Sequence, residues 1–226
     1  MLILGIDDSG RGPVIGPMIL AGVLIDSELE KEFKKQGVKD SKKLTPRKRE
    51  ILADIIKKKA LAYEVIIISS QEIDARVTGR INLNTIEAMK AAEIINRISE
   101  KTKAIEKIKV VADCPSPNIS KWTATLKKYV ASPEKFDFVV EHKADVNHIA
   151  CSAASIIAKS AREAEVEKIR KKIGKDFGSG YSSDPLTVKF LKEYYKEHKN
   201  DGIFRETWGT IKNNKSALEQ KKLEEY

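Results

Sequence analysis

The sequence predicts an α/β protein: a mixed five-stranded sheet flanked by helices, with a small helical region at the C-terminal end. Three observations carry this. Apolar runs of strand length fall at Leu2 to Ile6, Met18 to Ile25, Leu61 to Ser69, Ile108 to Ala112 and Phe136 to Glu141. The first two are joined through "GRGPVIGP", which suggests an antiparallel hairpin with a long turn, while the later runs alternate with helical patterns. After Gly174 the turn cluster "GSGYSSDP" interrupts the pattern, and a strongly charged helical stretch follows.

Each helix has a start signal. Pro46 to Lys59 opens with proline at its first position, and Leu83 to Lys101 follows Asn82, a suitable cap. Further helical patterns start near Ile119 and Ile149, and Asp184 with Pro185 begins a helix through His198. The expected organisation is a sheet domain over 1–174 and a helical region with a charged tail over 175–226. No internal repeat or low-complexity linker interrupts it.

At 226 residues the chain suffices for one substantial core. Its 42 Lys and Arg against 33 Asp and Glu give a formal net charge of +9, which favours a polyanionic partner such as nucleic acid. The basic runs are Lys39 to Arg49 and Lys168 to Lys172, although such runs also serve as solvated helix faces. The most apolar window, Val14 to Ile25, is shorter than the ~20 residues of a membrane span and contains Gly16 and Pro17. No signal peptide precedes the first strand, so the expected location is the cytoplasm. There Cys114 and Cys151 are expected to be reduced.

Acids stand at three strand ends. Asp7 and Asp8 close the first strand, Asp113 closes "IKVVAD", and Asp145 follows "VVEHKAD". Any one alone reads equally as a turn or helix cap. Together they would place like charges on one sheet edge, a set that hard divalent cations with oxygen ligands neutralise. Adjacent strand residues point to opposite faces, so for Asp7 and Asp8 to share an ion the strand geometry is expected to end there. The "GRG" that follows sets Arg11 between two flexible residues. Dinucleotide and phosphate-loop glycine spacings are missing, and so is a closely spaced Cys/His set for zinc. Ser152 and Ser155 lie in an alanine-rich helix, a setting more typical of packing than of nucleophiles.

The stretches "GIDDSGRGPVIGPM", "VKDSKKLTPRKR", "INLNTIEAM", "VVAD", "HKADVNHIACSAASIIAKSARE", "GSGYSSDP" and "RETWGT", in this order from Leu2 to about Thr210, resemble archaeal-type ribonuclease HII, the type 2 ribonuclease H. The resemblance implies a ribonuclease H-like sheet. It implies hydrolysis of the RNA strand of RNA/DNA hybrids and nicking 5′ of ribonucleotides embedded in duplex DNA, chemistry that belongs to DNA replication and ribonucleotide excision repair. A two-metal site for Mg²⁺ or Mn²⁺ would be held by Asp7, Asp8, Asp113 and Asp145. Gly10, Arg11, Gly12 and Tyr181 would sense the junction between ribose and deoxyribose. Lys42 or Lys43 and Asn82 or Asn84 would hold phosphates of the DNA strand.

The chain departs from the family in having Asp8 where Glu is usual and Ser9 where Ala is usual, which shortens one ligand by a methylene. Gln220, Leu223 and Tyr226 in "QKKLEEY" resemble a shortened sliding-clamp peptide, or a charged helix end with chance spacing. Two other readings share these features: a hybrid-binding module whose metal site Asp8 has spoiled, and a junction resolvase of the same fold. The latter leaves Gly-Arg-Gly and Tyr181 without a purpose. Nothing in the sequence demands more than a monomer.

Overall fold

The computed structural model describes residues 1–38, 44–102 and 107–219. Strand β1 (Leu2–Ser9) pairs antiparallel with β2 (Met18–Ile25), from Ile3 opposite Ile25 to Ser9 opposite Ile19. On its other side β1 pairs in parallel with Ile108–Asp113, which in turn pairs in parallel with Phe136–Glu141. Numbered in chain order, with Ala62–Ile68 as β3, these are β4 and β5, and the sheet order is β3-β2-β1-β4-β5. All eight residues of β2 are buried, which is why its run shows no apolar–polar alternation.

The helices are α1 (Ser27–Lys35), α2 (Pro46–Lys59), α3 (Ser70–Thr78), α4 (Leu83–Thr102), α5 (Ile119–Tyr129), α6 (Ala144–Asn147), α7 (Ile149–Ile173), α8 (Pro185–His198), α9 (Gly209–Lys212) and α10 (Lys215–Glu219). Thr45 Oγ1 accepts from the Lys48 N–H ahead of α2, Asn82 Oδ1 from Thr85 ahead of α4, and Asp184 Oδ1 from Leu186 ahead of α8. Helices α1 and α3 have no counterpart in the sequence reading. They are nine residues each and bury only Phe33, or Ser70 and Ile73, so neither leaves a long periodic apolar stripe. Their caps, Asp26 and Ser69, carry the local signal instead.

The chain divides into two compact units. One comprises Met1–Ser9, Ile19–Ile67 and Asn82–Glu163; the other comprises Gly10–Met18, Ile68–Ile81 and Ala164–Tyr226. This differs from a cut after residue 174, because apolar residues of the short early segments pack with the late ones. Val14 and Ile15 belong to one cluster with Phe177, Phe190, Tyr195 and Phe204, and Ile15 forms a bridge with Phe204.

In the sheet unit, Ile3, Ile19, Ala21, Val23 and Val111 form a core with the small residues Ala150, Cys151, Ala153, Ala154 and Ala158 of α7. Gly5 permits this approach. A β-carbon at Gly5 would lie 2.0 Å from the Ala150 carbonyl carbon, a backbone atom that cannot rotate aside. Gly5→Ala is therefore expected to lower stability by more than about 1–3 kcal/mol, the usual cost of overpacking, with a matching fall in Tm by calorimetry.

Candidate active site

Asp7 faces the same side of β1 as Gly5, the side covered by α7. Its carboxylate is buried and accepts a hydrogen bond from the Ser155 side chain. Lys159 Nζ donates in turn to Ser155 Oγ at 3.0 Å. Burial first, and then the like charge of Asp8, push the Asp7 carboxyl well above the usual carboxylate range; Ser155 opposes the rise and Asp113 adds to it.

Asp113, the last residue of β4, accepts from the Ala144 N–H at 2.9 Å and so receives the start of α6. Asp145 lies inside α6 and is 3% exposed, and its carbonyl accepts from Ser152 Oγ. It sits four residues ahead of α7 rather than capping it. Before α6, Lys143 takes a left-handed conformation with φ 60°, a conformation non-glycine residues adopt at a cost.

Asp7, Asp113 and Asp145 all act electrostatically on one sulfur. The buried Cys151 thiol is raised well above its usual value by burial, then by these three acids in that order. Its Sγ donates to the Ile6 carbonyl at 3.0 Å. Cys151 and Cys114 are both buried and not joined in a disulfide.

Asp8 corrects one expectation. Strand geometry does not end at the paired aspartates: the ladder continues through Asp7 opposite Ala21, Asp8 opposite Leu20 and Ser9 opposite Ile19. The two carboxylates therefore leave the strand on opposite faces, although Asp8 stays close enough to raise Asp7. Among the described residues, no group of three or more His, Cys, Asp or Glu side chains is close enough to grip a metal ion as it stands. The donor chemistry nevertheless fits a hard cation, because a cation would favour the ionised form of a carboxylate that burial first, and then Asp8 and Asp113, disfavour.

The loop after β1 belongs to the second unit. Gly10 has φ 84°, a left-handed conformation that excludes other residues without strain. A β-carbon on Gly12 would stand 3.2 Å from Cε1 of Tyr181, so the glycine keeps backbone and ring in contact range. Tyr181 is 39% exposed. Its own loop is fixed: Gly180 O accepts from Val14 N–H at 2.8 Å, and Asp184 accepts from the backbone and side chain of Ser179. The Ser179 N–H above all holds the Asp184 carboxyl below its usual range.

Asn82 is exposed, with Oδ1 engaged in capping α4, and Asn84 lies in the first turn of that helix. Lys42, Lys43, Gln220, Leu223 and Tyr226 lie outside the described residues. Ser155, Lys159 and Glu141 went unassigned in the sequence reading. Ser155 combines the packing expected of it with the bond to Asp7, and the four-residue spacing of Cys151, Ser155 and Lys159, one helix face, was the available signal. Glu141 ends β5 opposite Asp113 and accepts from Asn147 Nδ2 at 2.8 Å.

A mixed five-stranded sheet of this order, with acids at the carboxyl ends of β1 and β4, defines a ribonuclease H-like fold. Comparison with known proteins narrows the class. The family described as ribonuclease HII matches residues 4–211. The ribonuclease HII of Pyrococcus furiosus is 40% identical over 98% of this chain and 95% of its own length. The crystal structure of ribonuclease H2 from Pyrococcus horikoshii OT3 superposes with a TM-score of 0.85 at 35% identity, over 98% of this chain and 100% of the other. A PCNA:RNase HII complex from Archaeoglobus fulgidus gives 0.80 at 38% identity, over 99% and 100%. The chain belongs to the ribonuclease HII family. Its class of activity is that of a ribonuclease H, a phosphodiester hydrolase. Among the described residues no helix is long and apolar enough to cross a membrane.

Removing the Asp7 charge tests its environment directly. A carboxyl raised in the folded state contributes its full stability below its unfolded value, about 4, and loses it as pH climbs through the folded value. Metal-free Asp7→Asn is therefore expected to melt above the wild type at mildly alkaline pH. The two melting temperatures should converge near about pH 4, read from a calorimetric pH series.

Proposed function

We propose that the chain is a divalent-metal-dependent endonuclease that cuts the RNA strand of RNA/DNA hybrids and nicks duplex DNA 5′ of an embedded ribonucleotide, leaving 3′-hydroxyl and 5′-phosphate ends. The supporting observation is the adjacency of two devices in the chain. Asp7 and Asp8, the first of which acts with Asp113 and Asp145 on Cys151, are followed, after Ser9 alone, by a glycine loop in contact range of an exposed tyrosine.

Asp7, Asp8, Asp113 and Asp145 would hold Mg²⁺ or Mn²⁺, which supplies an activated water and charge neutralisation at the phosphate and leaving oxygen. The protein's own groups do the rest. Ser155 and Lys159 steady Asp7, and the Ala144 N–H steadies Asp113. Asp8, one methylene shorter than glutamate and on the opposite face of the strand, would hold such an ion less tightly than the other three.

Gly10 and Gly12 bring bare backbone up to the 2′-hydroxyl, the group that separates RNA from DNA. The Tyr181 ring offers a flat face to a sugar, and Arg11 contacts a phosphate. Asn82, Asn84 and either Lys42 or Lys43 track phosphates of the DNA strand, so binding weakens as salt rises. Gln220, Leu223 and Tyr226 meet a sliding clamp, a role supported by the Archaeoglobus relative's complex with PCNA. The enzyme acts as a cytoplasmic monomer in replication and ribonucleotide repair.

The test is a DNA duplex with a single ribonucleotide, incubated with and without Mg²⁺ or Mn²⁺ beside an all-DNA duplex. A metal-dependent nick 5′ of the ribonucleotide is expected, and none in the control. Binding without a nick would replace the enzyme with a hybrid-binding module, and cleavage of four-way DNA would indicate a resolvase. Tyr181→Ala is expected to slow cleavage at the single ribonucleotide by about tenfold, the order of one lost ring-stacking contact, and to slow cleavage of a long hybrid much less. Equal losses on both substrates would remove Tyr181 from ribose sensing.

A further inference from the structure

The motif "RETWGT" plays no part in the chemistry above, yet Arg205 heads the large side chains that are fully buried among the described residues. Its guanidinium donates three ways into the glycine loop. Nε reaches Gly16 O at 3.0 Å, one terminal nitrogen reaches Arg11 O at 2.8 Å, and the other reaches Gly10 O at 2.6 Å. Its central carbon lies 4.9 Å from the Trp208 ring centroid, and Trp208 Nε1 donates to Gly12 O at 3.2 Å. Ser70 Oγ donates to Gly16 O at 3.1 Å.

These bonds determine where the loop's N–H groups point. No peptide among those described is cis, and in a planar trans peptide the carbonyl and the following N–H point in opposite directions. Drawing the carbonyls of Gly10 and Arg11 onto Arg205 therefore turns the N–H groups of Arg11 and Gly12 to the opposite side. The two other carbonyls held by side chains carry no such consequence, because Gly12 and Gly16 precede Pro13 and Pro17, which have no N–H. Of the four peptides held by side chains two can donate, and the Arg205 guanidinium holds both; the Val14 carbonyl is taken by the Arg205 backbone N–H, and the Ile15 N–H that follows it donates to Gly180 O. A buried guanidinium is costly unless its donors are satisfied, so the loop carbonyls and the arginine fix one another. Lysine, a point charge without the planar fork, cannot hold three carbonyls in this array.

We propose that Arg205 is a positioning residue for ribose recognition, presetting the Arg11 and Gly12 N–H groups to donate to a ribose 2′-hydroxyl oxygen. The inference rests on the ribose-reading role proposed for the loop. Arg205→Lys and Arg205→Gln are compared with wild type and with Ser70→Ala, which removes a loop-carbonyl donor without freeing an N–H. Backbone ¹⁵N relaxation reports the order of the Arg11 and Gly12 amides. Fluorescence anisotropy, with divalent ions chelated, gives the affinity ratio between a duplex with one ribonucleotide and an all-DNA duplex.

Both Arg205 variants are expected to loosen the two amides and reduce the ratio by about three- to tenfold, the worth of one oriented hydrogen bond. Ser70→Ala should leave both readings near wild type. Ordered amides and an unchanged ratio in folded Arg205 variants would overturn the inference alone. Equal effects from Ser70→Ala would also overturn it, as general loosening, and so would loss of the fold in both Arg205 variants, which would assign the arginine to the core. Wild-type protein that binds both duplexes equally would overturn the ribose reading itself, and this inference with it.

Discussion

Asp7 can stay buried beneath α7 only because Gly5, two residues earlier on the same face of β1, lets the helix backbone touch the strand. That close approach brings Ser155 to the carboxylate and Cys151 to the Ile6 carbonyl. It also removes water that would otherwise screen the acids from one another. The resulting strain is electrostatic: a carboxyl that prefers to ionise is held where ionisation is opposed by burial, by Asp8 and by Asp113. Cation affinity and fold stability therefore pull in opposite directions at this residue, the trade expected of a site that stores unfavourable charge for a ligand to relieve.

The glycine loop rests on a different constraint. Gly10 accepts a left-handed backbone and Gly12 leaves room for a tyrosine ring, but glycines alone make a loop floppy rather than specific. Order is imposed from outside: the Arg205 guanidinium takes the carbonyls of Gly10, Arg11 and Gly16, the Trp208 indole takes that of Gly12, and the Ser70 hydroxyl adds a second donor at Gly16. Flexible residues and rigid anchors are complementary here, since only glycine lets backbone come so near and only side-chain donors keep it there.

The strands were legible because their apolar runs are bounded by turns. Observed β2 and β5 match the expected bounds, and α2 and α8 begin at the prolines that announce them. Helices α1 and α3 escaped because a short surface helix with one or two buried residues has almost no periodicity to read. The acids could be picked out from their strand-end positions, whereas the continuation of β1 through Ser9 could not, since nothing local distinguishes a strand that ends at Asp7 from one that runs on. Arg205 was visible only as part of a motif. A cation satisfied by carbonyls 195 residues earlier in the chain leaves no local signature of burial.

The parallel pairing of β1 with β4 also bears on the order of synthesis. β1 leaves the ribosome with only β2 available as a neighbour, and its second partner, beginning at Ile108, is made much later. Asp145 and Ser155 arrive later still, and Arg205 after both. Pairings between distant segments form slowly, and domains complete as units. A growing chain therefore carries all four acids before the arginine that braces the glycine loop has been made, so the two devices are completed at different times although Asp8 and Gly10 are separated by Ser9 alone.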